Sequence, residues 1–552
     1  MNRLYYGDCL TVLEEMPSGS VDLIYLDPPF NSNRGYNAIY KTETGQELPD
    51  QIDAFCDMWE LDDETQRGLQ HMPVLMRETG MDDDVAQLWR LWMNALRYTQ
   101  PRLLAYLYYM TIRLLQMRRV LSPAGSIYYH CDPTASHYIK AIMDAIFRHE
   151  NFRNEIIWQR TSAHSSARRY GPNHDTILFY TRSDRYAWSD PKVPHDQAYI
   201  DKFYRHEDDD GKYRLSDLTA AGTRNGASGQ PWRGIDPTAI GRHWAVPGGA
   251  SDPELQGLST QDKLDKLDER GRIYWPSDGE MPSYKRYWHE VDDGQNIQDV
   301  WGDIPPIGSN ASERMGYPTQ KPVALLERII DASSIEGQTV LDPFCGCAST
   351  LVAAHNLGRK WIGIDIAIHA VKRVARIRLE ERLGLRQDKE FTIEGVPRNV
   401  EGARDLWVRD KYHFQKWAVE QADGFVTTKR TADGGIDGRL YFYPGPDVPL
   451  ESMVIEVKGG NPTIADVRSL RGVLEREDAL MAGLIIMDEL GDRKDRNFRK
   501  EMASAGHVEL WGNEYPAMQI LTVSDLLDGK RFQTPTVMGK HSQEPRMPGL
   551  PR

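Results

Sequence analysis

Cysteine is scarce: five residues in a chain of 552, too few for the disulfide framework of a small secreted protein. Cys345 and Cys347 flank a single glycine, too close for a CxxC zinc knuckle, and read as small turn residues. No apolar run reaches bilayer-spanning length. Met1-Asn2-Arg3 leads straight into Leu4-Tyr5-Tyr6, with no signal-peptide pattern. The expectation is a cytoplasmic protein without a membrane partner. Net positive charge is missing as well. A formal charge of −14 argues against a protein that coats nucleic acid by charge alone, and leaves room for a local basic cleft. The GxGxxG dinucleotide fingerprint is absent. What remains is ordinary for a globular protein, with 40% hydrophobic and 27% charged residues, and the length implies two or more domains.

Along the chain, buried strands alternate with helices. The run VDLIYL predicts a buried strand ending at Leu26, and residues 31–81 read as a loop-rich flap. Apolar residues at helical spacing run from 85 to 120, with Pro101 separating two helices. Strands follow at SIYYH, EIIWQ and TILFYT, with the helix HYIKAIMDAIF between the first two. This alternation predicts an α/β fold, a doubly wound and mostly parallel sheet. From 186 to 299 the periodicity breaks up, apart from a polar helix near 260–270. A helix with Pro322 in its first turn, then a strand-turn-helix-strand unit over 339–366 and an Arg/Glu-rich helix to about 383, complete the first pattern. Residues 386–408 read as a linker, 409–530 as a second, smaller α/β domain, and 531–552 as a disordered tail.

Two segments carry chemistry. VDLIYLDPPFN ends a strand in Asp27, Pro28, Pro29 and Phe30. A carboxylate and a backbone carbonyl fixed by two prolines can accept both N–H bonds of an aromatic amine, and Phe30 offers a stacking face for an extruded base. Some three hundred residues later, TVLDPFCGCASTLVAA ends a strand at Asp342 and turns through Phe344 and Gly346 into a helix, a geometry suited to a small cofactor. Asp365 ends the next strand, where an acid can hold a ribose diol. A nucleotide-binding dehydrogenase shares the strand-turn-helix and distant acid.

The pairing resembles the DNA amino-methyltransferases, and the order, catalytic segment first, resembles their beta class. The resemblance covers about the first 380 residues. It implies a seven-stranded methyltransferase sheet from 1–185 and 300–385, with a target-recognition region over 186–299. It also implies S-adenosyl-L-methionine as cofactor, with Phe344 and Gly346 lining it, Asp365 on its ribose and Asp8 near its adenine. Thr319, Lys321 and the segment between them close over the methionine part. Asp27, rather than Ser, leans towards adenine N6, and cytosine N4 stays open. The family commonly shows Tyr where this chain has Phe30, and Gly where it has Ala348, which is tolerated if φ stays negative there. Within 186–299, Arg224, Arg233, Arg242, Lys285 and Arg286, among Trp232, Trp244, Tyr284, Tyr287 and Trp288, are candidates for contact with double-stranded DNA. His130 and Asp132 read as pocket wall rather than a metal site.

The C-terminal segment beginning at Phe414 resembles the Mrr-like branch of the restriction-endonuclease fold. Asp437 follows a glycine turn, and Glu456 and Lys458 lie two apart on one strand, hence on one face. By this resemblance Asp437 and Glu456 hold Mg²⁺, Lys458 assists the chemistry, and Glu420 is a weaker accessory ligand. The combination implies a restriction-modification or phage-defence protein, with a restriction or helicase subunit or a second copy as possible partners. A C-terminal domain that grips duplex DNA without cutting it is the rival.

Overall fold

The computed structural model describes residues 1–29, 61, 63–161, 170–195, 197–247, 252–277, 279–290, 294–308, 310–315, 317, 319–368, 370–426, 435–442, 444 and 451–535. Phe30, most of the expected flap and most of the expected tail lie outside them.

The order of elements begins β1 (Asn2–Tyr6), α1 (Cys9–Glu15), β2 (Val21–Leu26), α2 (Asp63–Glu78), α3 (Asp83–Leu96), α4 (Pro101–Val120), β3 (Leu121–Cys131), α5 (Ser136–Phe147), β4 (Phe152–Gln159) and β5 (His174–Thr181). After an inserted unit it resumes with β6 (Val300–Trp301), α6 (Val323–Ser333), β7 (Thr339–Asp342), α7 (Ser349–Asn356), β8 (Lys360–Asp365), α8 (Arg376–Leu383) and β9 (Phe391–Glu394). Helix α2 occupies a stretch expected to be loop-rich. Its apolar residues, Leu69, Met72 and Met76, are buried, but polar and charged residues between them blur the pattern.

Strands β1 to β9 form one sheet, in the order β6-β4-β5-β3-β2-β7-β8-β1-β9. Nine strands replace the seven expected. Both extra strands are edges, β6 two residues long and β9 four, too short to register as periodic segments. Only the β3–β5 and β4–β5 pairs are antiparallel. Strand β2 is nearly all apolar because helices cover both faces of a parallel sheet; Leu23, Ile24 and Leu26 have no exposure.

From β2 the chain builds outward through β3, and from β7 it builds the other way through β8. The junction of β2 and β7, held by the pairs Val340–Leu23 and Leu341–Ile24, is therefore where the topology reverses. At such a point the crevice beyond the carboxyl ends of the strands is open to a ligand.

Helix α4 carries the main core. Pro101 starts it, Arg118 and Arg119 sit in its last turn where the helix dipole favours cations, and Arg119 donates to the Met16 carbonyl at 2.8 Å, tying α4 to the end of α1.

Residues 386–408 are not a linker. They hold β9, which pairs in parallel with β1, and most of α9 (Val400–Arg409). Phe391 and Ile393 are buried while Thr392 and Glu394 alternate with them, a four-residue signal that the glycine and prolines around it obscure.

The chain continues through α10 (Lys411–Gln421), β10 (Phe425–Val426), β11 (Gly438–Phe442), β12 (Glu451–Lys458), α11 (Ile464–Arg476), β13 (Met481–Ile486), α12 (Asp492–Ala503), β14 (Met518–Thr522) and α13 (Val523–Leu527), with a hairpin over 507–516. The five strands form a mixed sheet in the order β10-β11-β12-β13-β14. Its core joins Val454, Leu484 and Ile486 to Val467 and Leu470 of α11 and Phe498 of α12. This sheet belongs to the same compact unit as the first, Met1–Ser189 with Asp299–Arg552.

The second compact unit, Asp190–Gln298, has an antiparallel four-stranded sheet. Its core gathers Leu218, Trp232, Trp244, Leu264, Leu267 and Ile273. Leu264 and Leu267 come from the polar helix Thr260–Glu269, capped by the Ser259 side chain.

One glycine is critical to the sheet edge. Gly395 follows β9 with φ +80°, and a Cβ there would lie 2.1 Å from the Tyr6 carbonyl oxygen. Gly395→Ala should destabilise the protein by about 2 kcal/mol or more, seen as a lowered melting temperature. An unchanged melting temperature would contradict this packing.

Candidate active site

Asp27 lies at the carboxyl end of β2, followed by Pro28 and Pro29, at the mouth of the β2/β7 crevice. Its Oδ2 is ion-paired with the Lys321 ammonium. Its Oδ1 is shielded from solvent and has no hydrogen-bond partner. Both side chains are largely buried, Lys321 at 9% and Asp27 at 16% exposure, so the pair is held in a medium where charges interact strongly. Lys321 was expected over the cofactor. It lines the same cavity, but its charge is turned to the carboxylate. Gln320 clamps the segment, accepting from the Met315 backbone N–H at 2.8 Å and donating to the Glu313 carbonyl at 2.7 Å. Thr319 takes a positive φ of 61°.

Asp27, Pro28, Pro29, Thr319, Gln320 and Lys321 share one cavity with Tyr25, Tyr317, Asp342, Phe344, Gly346 and Thr350. The Asp-Pro-Pro segment, the Thr-Gln-Lys segment and the glycine turn, far apart in sequence, are thus brought together. Asp342 ends β7; it accepts from the Phe344 backbone N–H at 3.0 Å and from the Thr350 hydroxyl. Burial raises its pKa to about 7, with Asp27 and Asp365 adding to the rise.

Gly346 has φ +46°, and a Cβ there would lie 2.9 Å from the Tyr317 ring. Ala348 takes φ 63°, so the condition under which alanine is tolerated there, a negative φ, is not met. Its methyl group sits in the left-handed region at a cost of roughly 1 kcal/mol, held by the Ala348 N–H to Cys345 carbonyl bond of 2.7 Å.

Asp365, at the end of β8, accepts from the Gly346 N–H at 2.9 Å and the Ala367 N–H at 2.8 Å. Burial lifts its pKa to about 6. Asp8 follows β1, caps α1 by accepting from the Leu10 N–H at 2.8 Å, and pairs through both oxygens with Arg113 at 2.7 and 2.6 Å. Arg113 was not anticipated, although a lone arginine inside the apolar helix PRLLAYLYYMTIRLL was a readable signal. Buried in α4, it also stacks on Tyr109 at 3.3 Å.

A second, buried chain of hydrogen bonds backs β2. The Tyr25 hydroxyl lies 2.9 Å from His130 Nδ1, and His130 Nε2 lies 3.2 Å from Asp175. With Nε2–H donating to the carboxylate, Nδ1 accepts from Tyr25. His130 is fully buried behind Tyr25, which lines the cavity, and Asp132 makes a local turn with Thr134. Among the described residues, no group of three or more His, Cys, Asp or Glu side chains is arranged to hold a metal.

In the C-terminal sheet, Asp437 precedes β11 and accepts from the Val457 N–H of β12 at 2.6 Å. Glu456 and Lys458 share one face of β12 with a 2.7 Å ion pair, and Lys458 also reaches Asp466 at 3.4 Å. A cleft of about 280 Å³ beside Lys458 is lined by Trp407, Lys411, Gln415, Asn461 and Asp466. Glu420 does not join this group. It belongs to a different face of α10, where it takes the Ile368 backbone N–H and feels the Asp365 charge, and burial pushes its pKa up to about 8.

In the inserted unit, the candidate cations divide. Arg233 pairs with Asp265 and Asp268, Arg242 with Asp217, and Lys285 with Asp208. Arg224 and Arg286 are exposed and make no ion pair among the described residues. Trp232, Trp244 and Tyr287 are buried, Tyr284 accepts from Arg272 at 2.9 Å, and Trp288 packs edge-on against Tyr204.

Residues 21–376 match the family model described as DNA methylase, and the chain belongs to that family. It is 36% identical over 273 residues to the Type II methyltransferase M.EcaI of Enterobacter cloacae, covering 49% of this chain and 57% of that protein. It is 49% identical over 73 residues to the DNA adenine methyltransferase YhdJ of Escherichia coli K12, covering 13% of this chain and 24% of that one. The chain thus spans little more than half of M.EcaI and a quarter of YhdJ. Among solved structures, a complex of M1.HpyAVI with SAM aligns with a TM-score of 0.29 at 14% identity, over 69% of this chain and all of that one.

Asp342, Asp365 and Glu420 all have folded pKa values, about 7, 6 and 8, above the value of about 4 they take when unfolded. Their contribution to stability is complete below about pH 4 and is lost as pH rises through the folded values. The melting temperature of the free protein should fall between about pH 5 and pH 8, and Asp342→Asn should flatten that slope. A profile that rises over this range would contradict the burial of these acids.

Proposed function

We propose that this chain is a DNA adenine-N6 methyltransferase of a restriction-modification or phage-defence system that uses S-adenosyl-L-methionine, joined to a Mg²⁺-dependent endonuclease domain. The observation that carries the first half is the unpartnered, buried Oδ1 of Asp27 at the mouth of the β2/β7 crevice. A buried acceptor without a donor costs free energy unless a ligand supplies one, and an amino group of an extruded base is such a donor.

The residues fit the cofactor. The Gly346 turn, Phe344 and Asp342 line the cavity that also holds Asp27, and Asp365 and Asp8 present carboxylates at the ends of β8 and β1. When bound, S-adenosyl-L-methionine supplies an electrophilic methyl group on a sulfonium sulfur. Asp27 would accept one amine N–H and the Pro28 carbonyl the other, leaving the nitrogen lone pair free towards the methyl group, so that the C–N bond forms as the methyl–sulfur bond breaks and leaves a neutral thioether. Lys321 holds Asp27 by its other oxygen, and the extra proton of the methylated nitrogen would pass to the Oδ1 that already accepts its N–H. The Asp-Pro-Pro pattern and the likeness to a protein named as a DNA adenine methyltransferase support adenine as the target. Double-stranded DNA is the substrate, read through the inserted unit, where Arg224 and Arg286 are the cations left for contact with phosphate or base edges.

Incubation of plasmid DNA with the full chain and S-adenosyl-L-methionine should yield N6-methyladenine by mass spectrometry of nucleosides. Asp27→Ala should lower the rate about a hundredfold or more. N4-methylcytosine would overturn the choice of base, and no methylated base would overturn the activity.

For the second half, Asp437 and Glu456 are the oxygen donors that would hold Mg²⁺, and Lys458 offsets phosphate charge beside them. DNA cutting by the full chain in the presence of Mg²⁺ should vanish in Asp437→Ala. Cutting that survives that change would overturn the assignment, and an intact protein that binds duplex DNA and never cuts it would favour a gripping domain.

A further inference from the structure

The carboxyl ends of β1 and β8 are covered by a helix that follows the methyltransferase pattern. His413 and Glu420 are seven residues apart on α10, two turns of helix, and so share one face. His413 meets the Tyr6 ring edge-on, with ring centroids 4.4 Å apart, and stands 3.9 Å from where a Cβ on Gly7 would lie. Glu420 takes the Ile368 N–H, three residues past Asp365.

Three polar side-chain atoms of this cluster lie together without partners. Tyr6 Oη, His413 Nε2 and Glu420 Oε2 are all shielded from solvent and all lack a hydrogen-bond partner. Tyr6 and His413 are more than nine-tenths buried. Protein interiors satisfy nearly all such groups, and three left open together, near the buried Asp365 and the half-buried Asp8, point to a polar ligand.

Resting on the reading of a cofactor at this crevice, we propose that α10 of the C-terminal segment supplies the adenosine end of the cofactor site. Glu420 engages the ribose hydroxyls together with Asp365, and Tyr6 and His413 engage the purine together with Asp8. Cofactor affinity in this chain then depends on a residue outside the part that matches the methylase family, which ends at residue 376.

The test is calorimetric binding of S-adenosyl-L-homocysteine and of its 2′-deoxy analogue to the full chain, which needs no turnover. Wild type should prefer the ribo ligand. Glu420→Ala should weaken the ribo ligand about tenfold and leave the 2′-deoxy ligand within about threefold, an effect expected of one lost hydrogen bond. Glu420→Gln, which keeps the shape and a hydrogen-bonding group, should recover most of the loss. Affinity within twofold of wild type in Glu420→Ala overturns the proposal, and so does an equal loss for both ligands, which is what a merely structural residue would give. A wild-type chain that binds neither ligand overturns the reading of the cofactor site itself.

Discussion

The ion pair between Asp27 and Lys321 is the interaction on which the site depends. A carboxylate at the end of a buried strand is costly to hold without a partner. Lys321 occupies one oxygen and leaves the other open and dry. The pair also joins two segments that the sequence separates by almost three hundred residues, the end of β2 and the loop before α6. Breaking a pair of this kind leaves one charge buried without compensation, which is costly whatever the pair's net contribution to stability.

The sheet topology explains why these groups meet. Strands β2 and β7 are neighbours, yet the chain leaves them in opposite directions, so their loops part and leave a crevice. Asp27 and Asp342 end those two strands, and Asp365 and Tyr6 end the next two outward. Four strand ends in a row thus present a carboxylate or a hydroxyl to the same edge. The C-terminal segment then packs α10 along that edge, with His413 and Glu420 towards β1 and β8, while Lys411 and Gln415 of the same helix line the cleft beside Lys458. One helix therefore borders both places where chemistry is expected.

Much of this was legible because the strongest signals are local. VDLIYLDPP reads as a buried strand ending in an acid and a rigid turn, and TVLDPFCGC as a strand and a tight turn; each needs no knowledge of the rest of the chain. The edge strands β6 and β9 were not legible, since two to four residues carry too little alternation. Helix α2 was masked by its many polar residues. Alanine prefers a negative φ, and the turn around Ala348 overrides that preference, which the residue alone does not announce. The pairing of Lys321 with Asp27, of Arg113 with Asp8 and of His130 with Tyr25 and Asp175 depends on which strands become neighbours, which single residues do not announce. Glu420 shows the same limit from the other side. Its sequence position near Asp437 suggested a metal ligand, and the direction of its helix face turns it towards Asp365.

The most direct measurement of the central claim is single-turnover methyl transfer by Lys321→Met, with cofactor affinity measured in parallel. If Lys321 acts by holding Asp27, the transfer rate should fall about a hundredfold while affinity for S-adenosyl-L-homocysteine stays within a few-fold of wild type. A transfer rate that is unchanged, with affinity lost instead, would place Lys321 on the cofactor and contradict the account.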